Sequence, residues 1–129
     1  MPAWIWVEAA VVLAIHDEQI AEHGGSAGVR DPGLLDSALA RAPKLAAYGE
    51  DVDAAALAAA YAFGITRNHP FVDATKRTAL VVLELFLELH GHRLSADDAG
   101  CVGTMLSLAA GSFDEAALAG WIRRNLEGA

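Results

Sequence analysis

The sequence predicts an all-α fold: about six helices packed around a central buried helix, with one tiny two-stranded pairing at most. Three observations carry that expectation. Apolar residues recur at three- and four-residue spacing through most of the chain. Helix start and stop residues punctuate it at short intervals, and strand-type alternation is nearly missing. With 129 residues, 54% of them apolar, the chain suits a single domain, 1–129, that buries a core without disulfide or metal staples.

The elements follow in order. A first helix is expected from near Val7 to Ala21, with Val11, Val12 and Ile15 on one face, stopping at Gly24-Gly25, where left-handed backbone is cheap. Asp31-Pro32 supplies an N-cap and a proline at the first helical position, and Pro43 is expected to end that short second helix. Asp53 caps a third through Leu57, Tyr61 and Ile65, broken at Asn68-His69-Pro70 because proline biases its predecessor away from helical geometry. The fourth runs from about Ala74 to His90 and ends at Gly91. Its apolar residues, from Leu80 to Leu89, go almost all the way round, so it is the expected central helix. Ser95-Ala-Asp-Asp98 and Ser112-Phe-Asp-Glu115 have capping-box spacing and start the fifth and sixth, the last carrying Leu118, Trp121, Ile122 and Leu126. A brief strand pairing between Trp4-Ile5-Trp6 and His92-Arg93-Leu94 is the remaining expectation.

Composition narrows the function. The lone Cys101 has no partner for an internal disulfide, which suits a reducing cytoplasm, and no basic leader or cleavage site marks the amino terminus. The run Ala79 to Leu89 is too short to cross a bilayer and is interrupted by Glu84 and Glu88. A net charge of −8 argues against direct nucleic-acid binding or an anionic membrane surface. Yet three of the nine Lys and Arg residues, Arg67, Lys76 and Arg77, fall around one helix start, so a small phosphorylated ligand fits there.

That start is the run His69-Pro-Phe-Val-Asp73-Ala-Thr75-Lys76-Arg77-Thr78. With Asp73 as the expected N-cap, the backbone N–H groups of Thr75, Lys76 and Arg77 are free in the first turn. Free donors and the macrodipole bind anions, and two cations reinforce them. Read separately, a histidine before a helix and a Lys-Arg pair in its first turn have bland explanations as loop and solvated surface. Cations placed against the dipole, however, are best explained by an anion between them. Asp73 at the edge of a phosphate site suits Mg²⁺, which favours one or two carboxylates plus phosphate oxygens. His69 can take a proton from an attacking hydroxyl, and Phe71 points into the core to fix the loop. The parts describe phosphoryl or nucleotidyl transfer to a hydroxyl.

The run resembles the motif of the Fic/Doc superfamily, and specifically that of the Doc (death on curing) toxins, His-x-Phe-x-Asp-Ala-Asn-Lys-Arg-Thr-Ala. It matches at His69, Phe71, Asp73, Ala74, Lys76, Arg77, Thr78 and Ala79. The likeness extends to Ala14-Ile-His-Asp17, Gly24-Gly25, Asp31-Pro32-Gly33 and His90-Gly91. The resemblance implies a small all-helical toxin of a toxin–antitoxin pair that uses ATP to phosphorylate a threonine of elongation factor Tu. It further implies a Phd-like antitoxin whose tail folds into a helix on the toxin. Fic proteins usually transfer AMP and carry Gly where this chain has Lys76; Lys there implies an inverted nucleotide presenting its γ-phosphate. Carried over by position, His69 is the base, Asp73 the Mg²⁺ ligand, and Lys76 and Arg77 the phosphate clamps, with Arg67 a lesser candidate for the same pocket.

Thr75 departs from the family Asn. A hydroxyl has a shorter stem and one donor where the amide has two, and one hydrogen bond to a charged group is worth about 1.5–3 kcal/mol, roughly ten- to a hundredfold in rate. A weakened or specialised enzyme is the expectation, with Thr75→Asn raising transfer. The alternatives are a catalytically silent binding module of the same fold and a Fic-type AMP transferase. Among residues outside the motif, His16-Asp17-Glu18 reads as capping and solvated surface, and His90 and His92 as a turn feature. Trp4, Trp6 and Trp121 read as core or oligomer contacts, and Arg123-Arg124 as dipole complements.

Overall fold

The computed structural model describes residues 3–128; Met1, Pro2 and Ala129, which the expected 1–129 domain and the reading of the amino terminus include, lie outside the described residues. Six helices are formed: α1 (Ala9–His23), α2 (Pro32–Tyr48), α3 (Ala54–Asn68), α4 (Thr75–Leu89), α5 (Asp98–Ala109) and α6 (Glu115–Arg124). Two short strands, β1 (Arg93–Leu94) and β2 (Leu126–Glu127), complete the described chain. No helix among the described residues is long and apolar enough to cross a membrane.

The centre is α3 rather than the expected α4. Eleven of its fifteen residues are buried, and α2, α4, α5 and α6 all pack on it. Its alanines explain why: small side chains let neighbouring helices approach from several directions at once. At Gly64 the approach is closest, since a Cβ there would lie 2.7 Å from Arg41 Cδ and 3.0 Å from the Ala38 carbonyl of α2. By contrast α4 buries one stripe, Thr75, Thr78, Ala79, Val82, Leu83, Phe86 and Leu87, at alternating three- and four-residue spacing. Its remaining apolar residues are partly or largely exposed, Leu89 to 40%.

The local caps at α2 and α3 form as expected. Asp31 accepts from the Leu34 N–H and Asp53 from the Ala56 N–H. Pro43, however, does not end α2, which runs on to Tyr48. An internal proline costs a helical hydrogen bond, roughly 3 kcal/mol. Burial of Ala42 and the packing of Leu45 and Ala46 against the core offset it. The N-caps of α5 and α6 are Asp97 and Asp114, not Ser95 and Ser112. Ser95 instead bonds the Asn125 carbonyl, and Ser112 that of Ser107.

Further expectations change. On α1 the inward residues are Val12 and His16, while Val11 is 43% exposed. The strand pairing joins β1 to β2, antiparallel, with Arg93 opposite Glu127 and Leu94 opposite Leu126, so Leu126 belongs to a strand and not to α6. Trp4-Ile5-Trp6 lies against α4 instead: both indoles stack on Phe86, and the Ile5 N–H donates to His90 Nε2 at 3.0 Å. Arg123 does more than complement a dipole, gripping both carboxylate oxygens of Asp53 at 2.7 and 2.9 Å. Cys101 is a buried free thiol, its pKa pushed up by burial.

Candidate active site

The run singled out in the sequence forms the link between α3 and α4. It opens at His69 (φ 47°) and closes at Ala74 (φ 61°), both in left-handed backbone. Each such residue other than glycine costs on the order of 1 kcal/mol, so the surrounding structure must hold the link in shape. Several contacts do so. Phe71 is fully buried, as expected, and stacks on His16 with ring centroids 4.0 Å apart. The segment around Arg30 runs alongside: the Val72 N–H donates to the Gly28 carbonyl, and the N–H groups of Arg30 and Asp31 donate to that of Pro70. The Arg30 guanidinium donates to the carbonyls of Asn68 and His69, closing the end of α3.

Asp73 takes a different part from the one expected. The N-cap position of α4 is Ala74, and no side chain caps this helix. The carboxylate of Asp73 accepts from the Ala74 N–H at 2.8 Å and from the Ser26 N–H at 3.2 Å. These two bonds, Ala74 first, hold its carboxyl below the ordinary value near 3.8, and the Arg77 charge adds to the effect. Asp73 is therefore an exposed, firmly ionised carboxylate. The first-turn N–H groups of Thr75, Lys76 and Arg77 have no carbonyl one turn back within the helix to receive them. Helices α2, α3, α5 and α6 each carry an Asp cap, whereas α4, like α1, starts without one.

That end opens into a pocket of about 320 Å³ lined by Thr66, His69, Asp73, Ala74, Thr75, Lys76, Arg77 and Ala109. All of the sequence-predicted site residues meet there except Arg67, whose guanidinium lies over the Phe63 ring, 5.5 Å from its centroid. Arg77 donates to the Gly24 carbonyl at 3.1 Å, which anchors its head beside Asp73. Among the described residues neither Lys76 nor Arg77 is ion-paired with a carboxylate. Thr66 has a buried hydroxyl with no partner among the described residues. The His69 ring is joined through Nδ1 to the Thr75 hydroxyl at 2.7 Å. On its far side the pocket meets an apolar groove between α4 and α5, lined by Leu80, Val102, Met105 and Leu106 with the stems of Lys76 and Arg77.

Two cations, bare helical N–H groups and an unpartnered hydroxyl fit an anion carrying several oxygens. The donors fit Mg²⁺ only in its usual phosphate-bound form. Among the described residues no group of three or more His, Cys, Asp or Glu side chains could cage a metal, and Asp73 offers one carboxylate with lone pairs left over.

Comparison with known proteins shows the family. The family model described as "Fic/DOC family" matches residues 6–87, well over half of the chain. The chain belongs to the Fic/Doc family. The match covers every lining residue of the pocket except Ala109. Among curated proteins the chain is similar to "Protein kinase doc" of Escherichia phage P1, 33% identical over 113 residues, 88% of this chain and 89% of that protein. It is also similar to "Toxin Doc" of Mycolicibacterium smegmatis, 45% identical over 76 residues, 57% of this chain and 58% of that protein. The all-helical architecture with one two-stranded pairing is that of a Fic/Doc domain.

Several residues that build this Fic/Doc site were not identified as such from the motif. His16, read as solvated, is 2% exposed and donates through Nε2 to the Asp73 backbone carbonyl at 2.8 Å. Its four-residue spacing from Val12 on the inward stripe of α1 was the available signal. Gly25 (φ 120°) lies so close to Asp73 that a Cβ would sit 2.7 Å from Oδ2. Arg30 and Thr66 had no local signal, since their partners are distant in the chain or lacking.

Proposed function

We propose that this Fic/Doc protein is a Doc-like toxin that transfers the γ-phosphate of ATP to a threonine hydroxyl of elongation factor Tu and so blocks translation in the cytoplasm. The observation that carries the reading is the bare α4 terminus, where Lys76 and Arg77 face His69 and Asp73 across one pocket. The free N–H groups and the two cations bind the phosphates. Asp73 would hold Mg²⁺ that arrives with the nucleotide, and the ion would supply neutralisation of the charge on the phosphate oxygens.

His69 takes the proton of the acceptor hydroxyl as the hydroxyl oxygen bonds to the γ-phosphorus. The bond from that phosphorus to the bridging oxygen breaks, and ADP leaves. Since phosphoryl transfer needs little covalent help, holding the reactants in line supplies most of the rate. Lys76 fills the place where AMP transferases of the family carry glycine, which favours γ-transfer over AMP transfer. A Phd-like antitoxin whose tail folds into a helix is the proposed partner, in keeping with the Doc names of both relatives.

The test is incubation with Mg-ATP and elongation factor Tu, followed by mass spectrometry. One phosphoryl group on a threonine supports the proposal. Unmodified elongation factor Tu overturns that target, and phosphate on no protein of a cell lysate overturns the transfer itself.

A further inference from the structure

We propose that Thr75 is the positioning residue of His69: its hydroxyl accepts the Nδ1–H of the imidazole and leaves the Nε2 lone pair free to act as the base. The inference rests on the phosphotransfer reading above and adds what holds its base. It also changes the meaning of the one departure from the family motif, making Thr75 a working part of the site and not a lesion.

Four observations support this assignment. The Nδ1 to Oγ1 distance is 2.7 Å, a good hydrogen bond. Among the described residues this is the only hydrogen bond that the His69 ring makes, and the ring is otherwise exposed. Thr75 is 4% exposed in the first turn of α4, where a β-branched side chain has few rotamers, so its oxygen is a fixed point. Finally, the hydroxyl already engaged with His69 is not needed for the anion, because the backbone N–H of Thr75 and its two neighbours serve that end independently of the side chain.

The chemistry requires a defined tautomer. A neutral imidazole carries its proton on one nitrogen, and the partner of the other nitrogen decides which. If Nδ1–H donates to Thr75, Nε2 is unprotonated and can take the acceptor proton. Without that acceptor the ring is free to turn and to place its proton on Nε2, where it cannot act as base.

The experiment compares the wild-type chain with Thr75→Val, Thr75→Ser and Thr75→Asn. Valine keeps shape and removes the hydroxyl. It should lower kcat about three- to tenfold, the worth of one neutral hydrogen bond, while KM for ATP stays within about twofold. Serine restores the hydroxyl and should recover most of kcat, whereas asparagine should give no gain. A readout that needs no turnover is the ¹⁵N spectrum of the His69 ring at about pH 8.5, above the ordinary histidine range. Wild type should show the proton on Nδ1, and Thr75→Val should shift it toward Nε2.

A wild-type ring protonated on Nε2, a valine variant with unchanged kcat and tautomer, or an asparagine variant with raised kcat would each overturn the assignment. A valine variant with raised KM and unchanged kcat would do the same, by making Thr75 a phosphate ligand. If the wild-type chain transfers nothing from ATP, the phosphotransfer reading fails, and the spectrum alone still decides the role of Thr75.

Discussion

His16 and Asp73, 57 residues apart in the chain, are joined by a 2.8 Å hydrogen bond from the imidazole Nε2–H to the backbone carbonyl oxygen. The same ring stacks on Phe71 at 8°. One buried side chain of α1 thus fixes both the core anchor of the motif and the backbone that carries its carboxylate.

Replacing His16 by Phe keeps a ring against Phe71 and removes the donor. The loss should be about 1–3 kcal/mol of unfolding free energy, since a partly buried carbonyl is left without its partner. Denaturant titration measures it, and a transfer assay on the folded variant should show a lower rate as Asp73 loses its support. His16→Gln, which keeps a donor, should recover part of both. Full stability in His16→Phe would contradict the role given to this bond.

Gly25 should tolerate no side chain. Its φ of 120° is a region that L residues rarely adopt, and a Cβ there would meet Asp73 Oδ2 at 2.7 Å. Gly25→Ala should push the carboxylate aside and raise the Mg²⁺ concentration needed for half-maximal transfer. Gly24→Ala is the comparison, because nothing lies within 4 Å of a Cβ at that position, although its positive φ still strains the backbone. Equal Mg²⁺ dependence in the two variants would count against Asp73 as the metal ligand.

Asp53 carries a pH signature distant from the site. Its hydrogen bonds from Arg123, and then from the Ala56 N–H, hold the carboxyl below its ordinary value near 3.8. A carboxylate depressed in the folded state contributes stability above the unfolded pKa and loses it as pH falls through the folded one. Asp53→Asn keeps a good N-cap and removes the charge pair. At pH 7 it should cost up to about 1 kcal/mol, because the pair is half-exposed, and the difference from wild type should shrink as pH falls below the ordinary carboxyl value near 3.8. Urea unfolding across that range checks it; a difference constant with pH would locate the effect in the cap alone.

What was legible in the sequence was what short-range chemistry determines. Asp31 and Asp53 cap their helices through residues three positions on, and the pocket at the start of α4 announces itself through Lys76 and Arg77. Local patterns mislead where a distant partner decides the outcome. Pro43 looked like a stop, but packing carried α2 past it. Ser95 and Ser112 matched a capping pattern that the neighbouring aspartates fulfilled instead. The alanines of α3 gave little hydrophobic signal, although their small size is what puts that helix at the centre. Likewise β1 found its partner at the far end of the chain, and Arg67 turned to Phe63 rather than to the pocket.

The proposed γ-phosphoryl transfer site consists of His69, Asp73, Lys76 and Arg77. It is tested most directly by supplying elongation factor Tu and Mg²⁺ with ATP labelled separately at the α- and γ-phosphates. Label should reach the acceptor from the γ position alone, with a loss of about 10²–10⁴-fold in His69→Ala. Label from the α position would make the chain an AMP transferase, label from neither a binding module, and γ-transfer undiminished in His69→Ala would remove the base; each result rules out this assignment.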